Sequence, residues 1–153
     1  MKILLISDSH GKREYIEQLV QNNNYQYIFF AGDGIRDLGV DIYDPKFVYV
    51  KGNCDFFSIT EPITQTIFVN DLKVLITHGD YFNVKYGLER LQQFAAEKGY
   101  GLVCFGHTHN KLFFEQGGIV YVNPGSLKNG NFAEIKIANG KIEVELKNIL
   151  DVN

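Results

Sequence analysis

The 153-residue sequence predicts an α/β (α+β) domain in which a two-sheet mixed β-sandwich is flanked by helices. Three observations predict it. Short apolar runs alternate with helical patterns through the first two-thirds of the chain. Strand patterns then dominate the end, which implies a mixed sheet system rather than a purely parallel one. So many strands share so few helices that two stacked sheets, with helices on the outer faces, accommodate them best.

Residues 2–7 (KILLIS) form an apolar run bounded by polar residues, as a buried strand would be. Residues 12–23 carry Ile16, Leu19 and Val20 at helical spacing. Strands are expected at 27–31 and 46–50. Residues 64–69 and 73–77 flank Asn70-Asp71 as a hairpin would. The clearest helix spans 87–98, where Leu88, Leu91 and Ala95 share a face and Gly99 supplies the stop. A short buried strand follows at 102–105. Further strands are expected at 111–116, 119–123 and 132–137, and a last one at 141–147 after the Asn139-Gly140 turn.

Length and composition fit one domain, taken as 1–153. Apolar residues make up 45% and charged residues 22%, ordinary for a globular protein. No segment reaches the roughly 18 apolar residues of a membrane span. The short N-terminal run ends in Asp-Ser-His and lacks the cleavage site of a signal peptide. A cytoplasmic location without membrane association is therefore expected. Lys and Arg are scattered and the net charge is −3, so no stable nucleic-acid binding is expected. Cys54 and Cys104 make no disulfide framework and no CxxC zinc or redox motif.

Five strand candidates each run into a residue able to bind metal. The first leads to Asp8 and His10, the second to Gly32-Asp33 and the third to Gly52-Asn53. The fifth leads to His78-Gly79, and 102–105 to Gly106-His107-Thr108-His109. Ligands in open α/β sheets bind beyond the carboxyl ends of strands. Asp8/His10 and His107/His109 are spaced i, i+2, which in extended chain puts both side chains on one side. The neighbouring glycines, Gly32, Gly52, Gly79 and Gly106, suit tight turns and close backbone approach.

Each feature alone has a plainer explanation. Asp33 would serve as a turn former or helix cap, and Asn53 after Gly as a left-handed turn residue. The ordered set is more telling, because all four histidines of the chain fall within it. Carboxylate, imidazole and amide donors suit Mn, Fe, Co, Ni or Zn. Seven donors exceed one tetrahedral site, so two metals sharing a carboxylate are expected, roughly 3.5–4 Å apart as in two-metal hydrolases.

Together, DSH at 8–10, GD at 32–33, GN at 52–53, HG at 78–79 and GHTH at 106–109 resemble the calcineurin-like metallophosphoesterase superfamily. GNCD at 52–55, NPGS at 123–126 and the short length resemble its small bacterial and archaeal phosphodiesterase branch, to which the eukaryotic retromer scaffold subunit also belongs. The resemblance implies a four-layer α-β-β-α architecture and a metal-dependent phosphoesterase. It assigns Asp8, His10 and His109 to one metal and Asn53, His78 and His107 to the other, with Asp33 bridging. It implies two divalent ions, manganese first among them, and in-line attack at phosphorus by a metal-bridging hydroxide. Asp33, Asn53 and His78 would be the catalytic residues.

Three positions depart from the pattern. Cys54 stands where many relatives carry a general-acid histidine, a device typically worth 10²–10⁴-fold. A small phosphodiester is therefore the expected substrate in preference to a monoester. Asp80 follows His78-Gly79 where many relatives have His; it would orient a ligand histidine or sit as an ordinary loop carboxylate. Lys128 is the one basic residue after NPGS. With Asn53, Lys128 and Arg36 are the candidate substrate contacts, although exposed cations are usually solvated. Phe56, Phe57, Tyr81, Phe82 and Tyr86 gather near these segments and would stack an aryl group or nucleobase, line a homo-oligomer interface, or simply pack. The rival readings are a non-catalytic scaffold of the retromer-subunit type, a phosphomonoesterase and a mononuclear hydrolase.

Overall fold

The computed structural model describes residues 1–151 and contains two five-stranded mixed sheets. The first sheet contains β1 (Lys2–Ile6), β2 (Tyr27–Phe30), β3 (Phe47–Tyr49), β9 (Asn131–Ala138) and β10 (Lys141–Asn148), in the order β10-β9-β1-β2-β3. The second contains β4 (Thr64–Val69), β5 (Leu72–Thr77), β6 (Leu102–Cys104), β7 (Leu112–Gln116) and β8 (Ile119–Asn123), in the order β4-β5-β6-β8-β7. Strands β1, β2 and β3 run parallel, as do β5, β6 and β8; antiparallel strands complete each sheet.

The unbroken apolar runs are explained by burial on both faces. Successive side chains of a strand point to opposite sides. Ile3 and Leu5 of β1 face the second sheet, where they join Phe29, Val74, Ile76, Leu102, Cys104 and Ile135 in the inter-sheet core. Leu4 and Ile6 point outward and pack with Ile16 and Leu19 of α1 (Arg13–Gln21). The second sheet mirrors this: Leu75, Val103 and Phe105 pack with Leu91 and Ala95 of α2 (Glu89–Lys98). Each such buried side chain contributes about 1.5–3 kcal/mol. The layers are therefore helix, sheet, sheet, helix.

Several element ends differ from the sequence expectation by one or two residues; α1, for example, covers Arg13–Gln21 and not 12–23. Leu88 is the cap residue of α2 rather than part of the helix, and Gly99 closes α2 at φ 75°, its N–H bonded to the Ala95 and Ala96 carbonyls. Residues Ile35–Tyr43, which have no clear helical period, form 3-10 turns broken at Gly39. The hairpin turns match their sequence signals, with Asn70, Asn139 and Gly140 at positive φ.

Candidate metal centre

The parallel strands of both sheets end at one edge of the sandwich. From the first sheet, the loop after β1 supplies Asp8 and His10, that after β2 supplies Asp33, and that after β3 supplies Asn53. From the second, β5 leads to His78 and β6 to His107 and His109. Backbone hydrogen bonds tie these loops together: Asp8 N–H to Gly32 O at 2.9 Å, Ser9 N–H to Asp33 O at 3.1 Å, and Gly106 N–H to His78 O at 2.9 Å. The structure thus brings together all seven residues expected from the sequence.

They form two clusters whose donor atoms lie within 4.8 Å of one another: Asp8, His10 and His109, and Asp33, His78 and His107. In the first, His109 Nε2 is 3.2 Å and His10 Nε2 3.7 Å from Asp8 Oδ1. In the second, His78 Nε2 lies 3.2 Å from Asp33 Oδ2 and 3.1 Å from His107 Nδ1. Asn53 joins the second cluster, its Oδ1 3.0 Å from His78 Nε2. Asp33 Oδ2 stands between the clusters, 3.9 Å from His10 Nε2 on the far side. Asp8, Asp33 and His78 are buried and form the floor; His109 and Asn53 are exposed and form the rim.

The backbone in these loops corrects one expectation. Asp8, His10, Asp33, His107 and His109 all have positive φ, between 40° and 71°. The i, i+2 pairs therefore converge through left-handed backbone, not through extended chain. Such conformations are uncommon for residues other than glycine and cluster at functional sites. Asn53, by contrast, is not among the positive-φ residues. Gly32, Gly52, Gly79 and Gly106 all leave space that a Cβ would fill, and Gly32 and Gly79 in addition have positive φ, at 94° and 111°. A Cβ on Gly52 would sit 2.1 Å from Asp33 Oδ1, and one on Gly106 would sit 2.6 Å from Asp8 Oδ2.

The protonation pattern suits cations. His78 Nδ1 is 2.7 Å from the Ala31 carbonyl, which requires that nitrogen to carry a proton. The neutral ring then presents a lone pair at Nε2, facing Asp33 Oδ2, Asn53 Oδ1 and His107 Nδ1. Donor atoms packed this closely need a shared positive charge. In addition, His10 Nε2 is buried with no hydrogen-bond partner among the described residues. Without metal, a proton fills part of this role. Burial opposes charge on His78, but the Asp33 hydrogen bond and the Asp8 and Asp33 charges outweigh it and raise its pKa. Burial likewise opposes ionisation of Asp33, but His78 and the Cys54 N–H hold its carboxyl at about 2. His107 is pushed down, by burial first and then by the His78 charge.

Each carboxylate is aimed by its second oxygen. Asp8 Oδ2 accepts from Ser7 Oγ at 2.5 Å and from the His107 N–H at 3.1 Å. Asp33 Oδ1 accepts from the Cys54 N–H at 2.8 Å. Two residues supporting the loops were not assigned these roles from the sequence. Asp55 accepts four backbone N–H groups, from Asp33, Gly34, Ile35 and Gly52, at 2.8–3.1 Å. Asn123 donates to Gly106 O and Thr108 Oγ1 and accepts from the Gly125 N–H. The GNCD and NPGS motifs contained the only signals for them. NPGS also reaches the β1 loop, where Ser126 Oγ and the Lys128 N–H both donate to Asp8 O.

Asp80 makes no hydrogen bond to a ligand histidine among the described residues; Ala31 orients His78, and Asp80 begins a 3-10 turn. Arg36 and Lys128 are exposed at the site's margins. Phe82 is buried against α2, while Phe56, Phe57, Tyr81 and Tyr86 are exposed.

Residues 1–143 match the calcineurin-like phosphoesterase superfamily domain. The chain belongs to this superfamily. As a superfamily member it is 30% identical over 131 residues to the probable metallophosphoesterase YsnB of Bacillus subtilis, covering 84% of this chain and 76% of that protein. It is 24% identical over 145 residues to a phosphodiesterase of Methanocaldococcus jannaschii, covering 82% and 83%. Among solved structures, a predicted phosphoesterase from Streptococcus pneumoniae superposes with a TM-score of 0.86 at 24% identity, covering 96% of this chain and 88% of that one. Vps29 from Entamoeba histolytica, complexed with zinc, superposes at 0.75 with 20% identity, covering 97% and 99%. These two likenesses concern the phosphoesterase fold. No helix among the described residues is long and apolar enough to cross a membrane.

Proposed function

We propose that this phosphoesterase is a phosphodiesterase with a dinuclear metal centre. The observation that carries the reading is the position of Asp33 Oδ2 between two three-residue clusters, 3.2 Å from His78 and 3.9 Å from His10. Asp8, His10 and His109 would hold one divalent cation and Asn53, His78 and His107 the other, with Asp33 shared. When bound, such a pair neutralises charge on phosphoryl oxygens and acidifies a water for attack at phosphorus.

The chain's own residues set the conditions. Asp33 stays ionised at any physiological pH. The Ala31 carbonyl fixes the His78 tautomer with Nε2 toward the centre. The rim position of Asn53 leaves its amide N–H₂, now 3.6 Å from Cys54 Sγ, able to meet a phosphoryl oxygen. Lys128 would supply an outer phosphate contact, and Arg36 a contact to another part of the substrate.

Cys54 favours diesters over monoesters. Burial and the neighbouring Asp33 charge raise its pKa, so it remains a neutral thiol, a poorer proton donor to a departing alkoxide than an imidazolium would be. The diester with the better leaving group loses least. The relative named a phosphodiesterase supports the same preference. Manganese is the first metal to test. The exposed free Cys54 is in keeping with the reducing cytoplasm.

The scaffold alternative draws on the Vps29 likeness; retention of all seven donors supports the enzyme. Metal content beside hydrolysis of bis(p-nitrophenyl) phosphate and p-nitrophenyl phosphate separates them. The expected result is two Mn²⁺ per chain, faster diester turnover, and loss of turnover in Asp33→Asn. Metal binding without turnover, or a fully active Asp33→Asn, overturns the enzyme reading; a strong monoester preference overturns the diesterase reading.

A further inference from the structure

Beside the candidate centre lies a cavity of about 310 Å³, lined by His10 and Asp33 of the centre together with Arg36, Phe56 and Phe57. Phe56 and Phe57 are 80% and 77% exposed, unusual for two consecutive large aromatics on a free surface. The Arg36 guanidinium lies over the Phe57 ring, 4.3 Å from its centroid. Among the described residues Arg36 forms no ion pair, in contrast to Arg13.

The aromatic wall is built on an anchored loop. Asp55 accepts four backbone N–H groups around it, and Lys51 Nζ donates to Ser58 O at 2.8 Å. The same loop supplies Asn53, so the aromatics are held in register with the candidate ligands. The cavity's other charges decide what it accepts. Asp37 and Asp55 also line it, each already accepting N–H or O–H groups. Three carboxylates, Asp33 among them, against one guanidinium disfavour a further anion. A flat neutral group can stack on the Arg36–Phe57 pair and carries no charge for these carboxylates to repel.

We propose that this cavity binds the non-phosphate part of the substrate, and that this part is a neutral planar ring, an aryl group or nucleobase, stacked against Arg36 and Phe57. The proposal rests on the phosphodiesterase reading and names its substrate class: diesters in which the ester group that is not expelled carries such a ring.

The full chain loaded with Mn²⁺ is assayed on the p-nitrophenyl ester of thymidine 5′-phosphate and on methyl p-nitrophenyl phosphate. The kcat/KM ratio of thymidine to methyl ester is expected to exceed one and to fall about tenfold in Phe57→Ala and in Arg36→Ala, the usual scale for loss of a base-stacking partner. Calorimetric binding of thymidine 5′-phosphate, compared with inorganic phosphate, is expected to lose the same preference. If the chain hydrolyses both esters and neither variant changes the ratio, the cavity assignment fails while the diesterase reading stands. If it hydrolyses neither ester, the diesterase reading fails, and the calorimetric comparison still decides whether the cavity holds a ring.

Discussion

His78 Nδ1 lies 2.7 Å from the carbonyl oxygen of Ala31, a residue 47 positions earlier on the other sheet. This bond spans the sandwich and sets which ring nitrogen faces the centre. His78→Gln removes both functions while keeping a polar side chain. We expect Mn²⁺ content to fall from two ions per chain toward one, and diester kcat/KM to fall by at least about 10²-fold. Plasma emission analysis and steady-state assay check the two effects.

The His78–Asp33 pair makes the metal-free protein's stability depend on pH in a definite direction. The folded pKa of His78 is raised above its ordinary 6.5. Its stabilisation is therefore complete below pH 6.5 and is lost as pH rises through the raised value. Asp33, lowered from 3.8 to about 2, stabilises above pH 3.8, and that contribution is lost as pH falls through 2. After chelation, Tm should hence fall from pH 6.5 upward. With Mn²⁺ the trend should reverse over the same range, because the metal needs unprotonated imidazole. Calorimetric scans with and without chelator test this.

Asp55 gathers four N–H groups from two loops on one carboxylate. Asp55→Ala should destabilise by about 2 kcal/mol, since the donors lose a charged acceptor but some gain water. Diester activity should fall too, because Asp33 and Asn53 flank the released backbone. Urea unfolding midpoints beside activity measure both.

Glu134 offers a control away from the site. It is 6% exposed and takes hydrogen bonds from Tyr25 and Lys147 and an ion pair from Lys2. Burial opposes its ionisation, but Lys147, Lys2 and Tyr25 outweigh it and lower its pKa below 4.5. Glu134→Gln should cost about 1–2 kcal/mol at pH 7, as both lysines retain access to water. The difference between Glu134→Gln and the parent chain should shrink as pH falls below 4.5 through the lowered value, with metal content and diester turnover unchanged at pH 7.

The sequence by itself determined the layers and the residues at the centre. Runs such as KILLIS and KVLIT bury both faces, so their burial as strands followed from hydrophobicity, and a polar donor after each run marked the edge where the site lies. Local signals likewise placed the Asn139-Gly140 turn and the Gly99 stop. Tertiary structure decided the rest, because those properties depend on contacts between distant segments. The left-handed backbone at Asp8 and His107 is held by bonds between loops of different strands, which i, i+2 spacing cannot reveal. The His78 tautomer depends on a carbonyl of the opposite sheet. The role of Asp55 exists only once four N–H groups from two loops converge on it, and the Arg36–Phe57 pair only once the loops after β2 and β3 stand side by side.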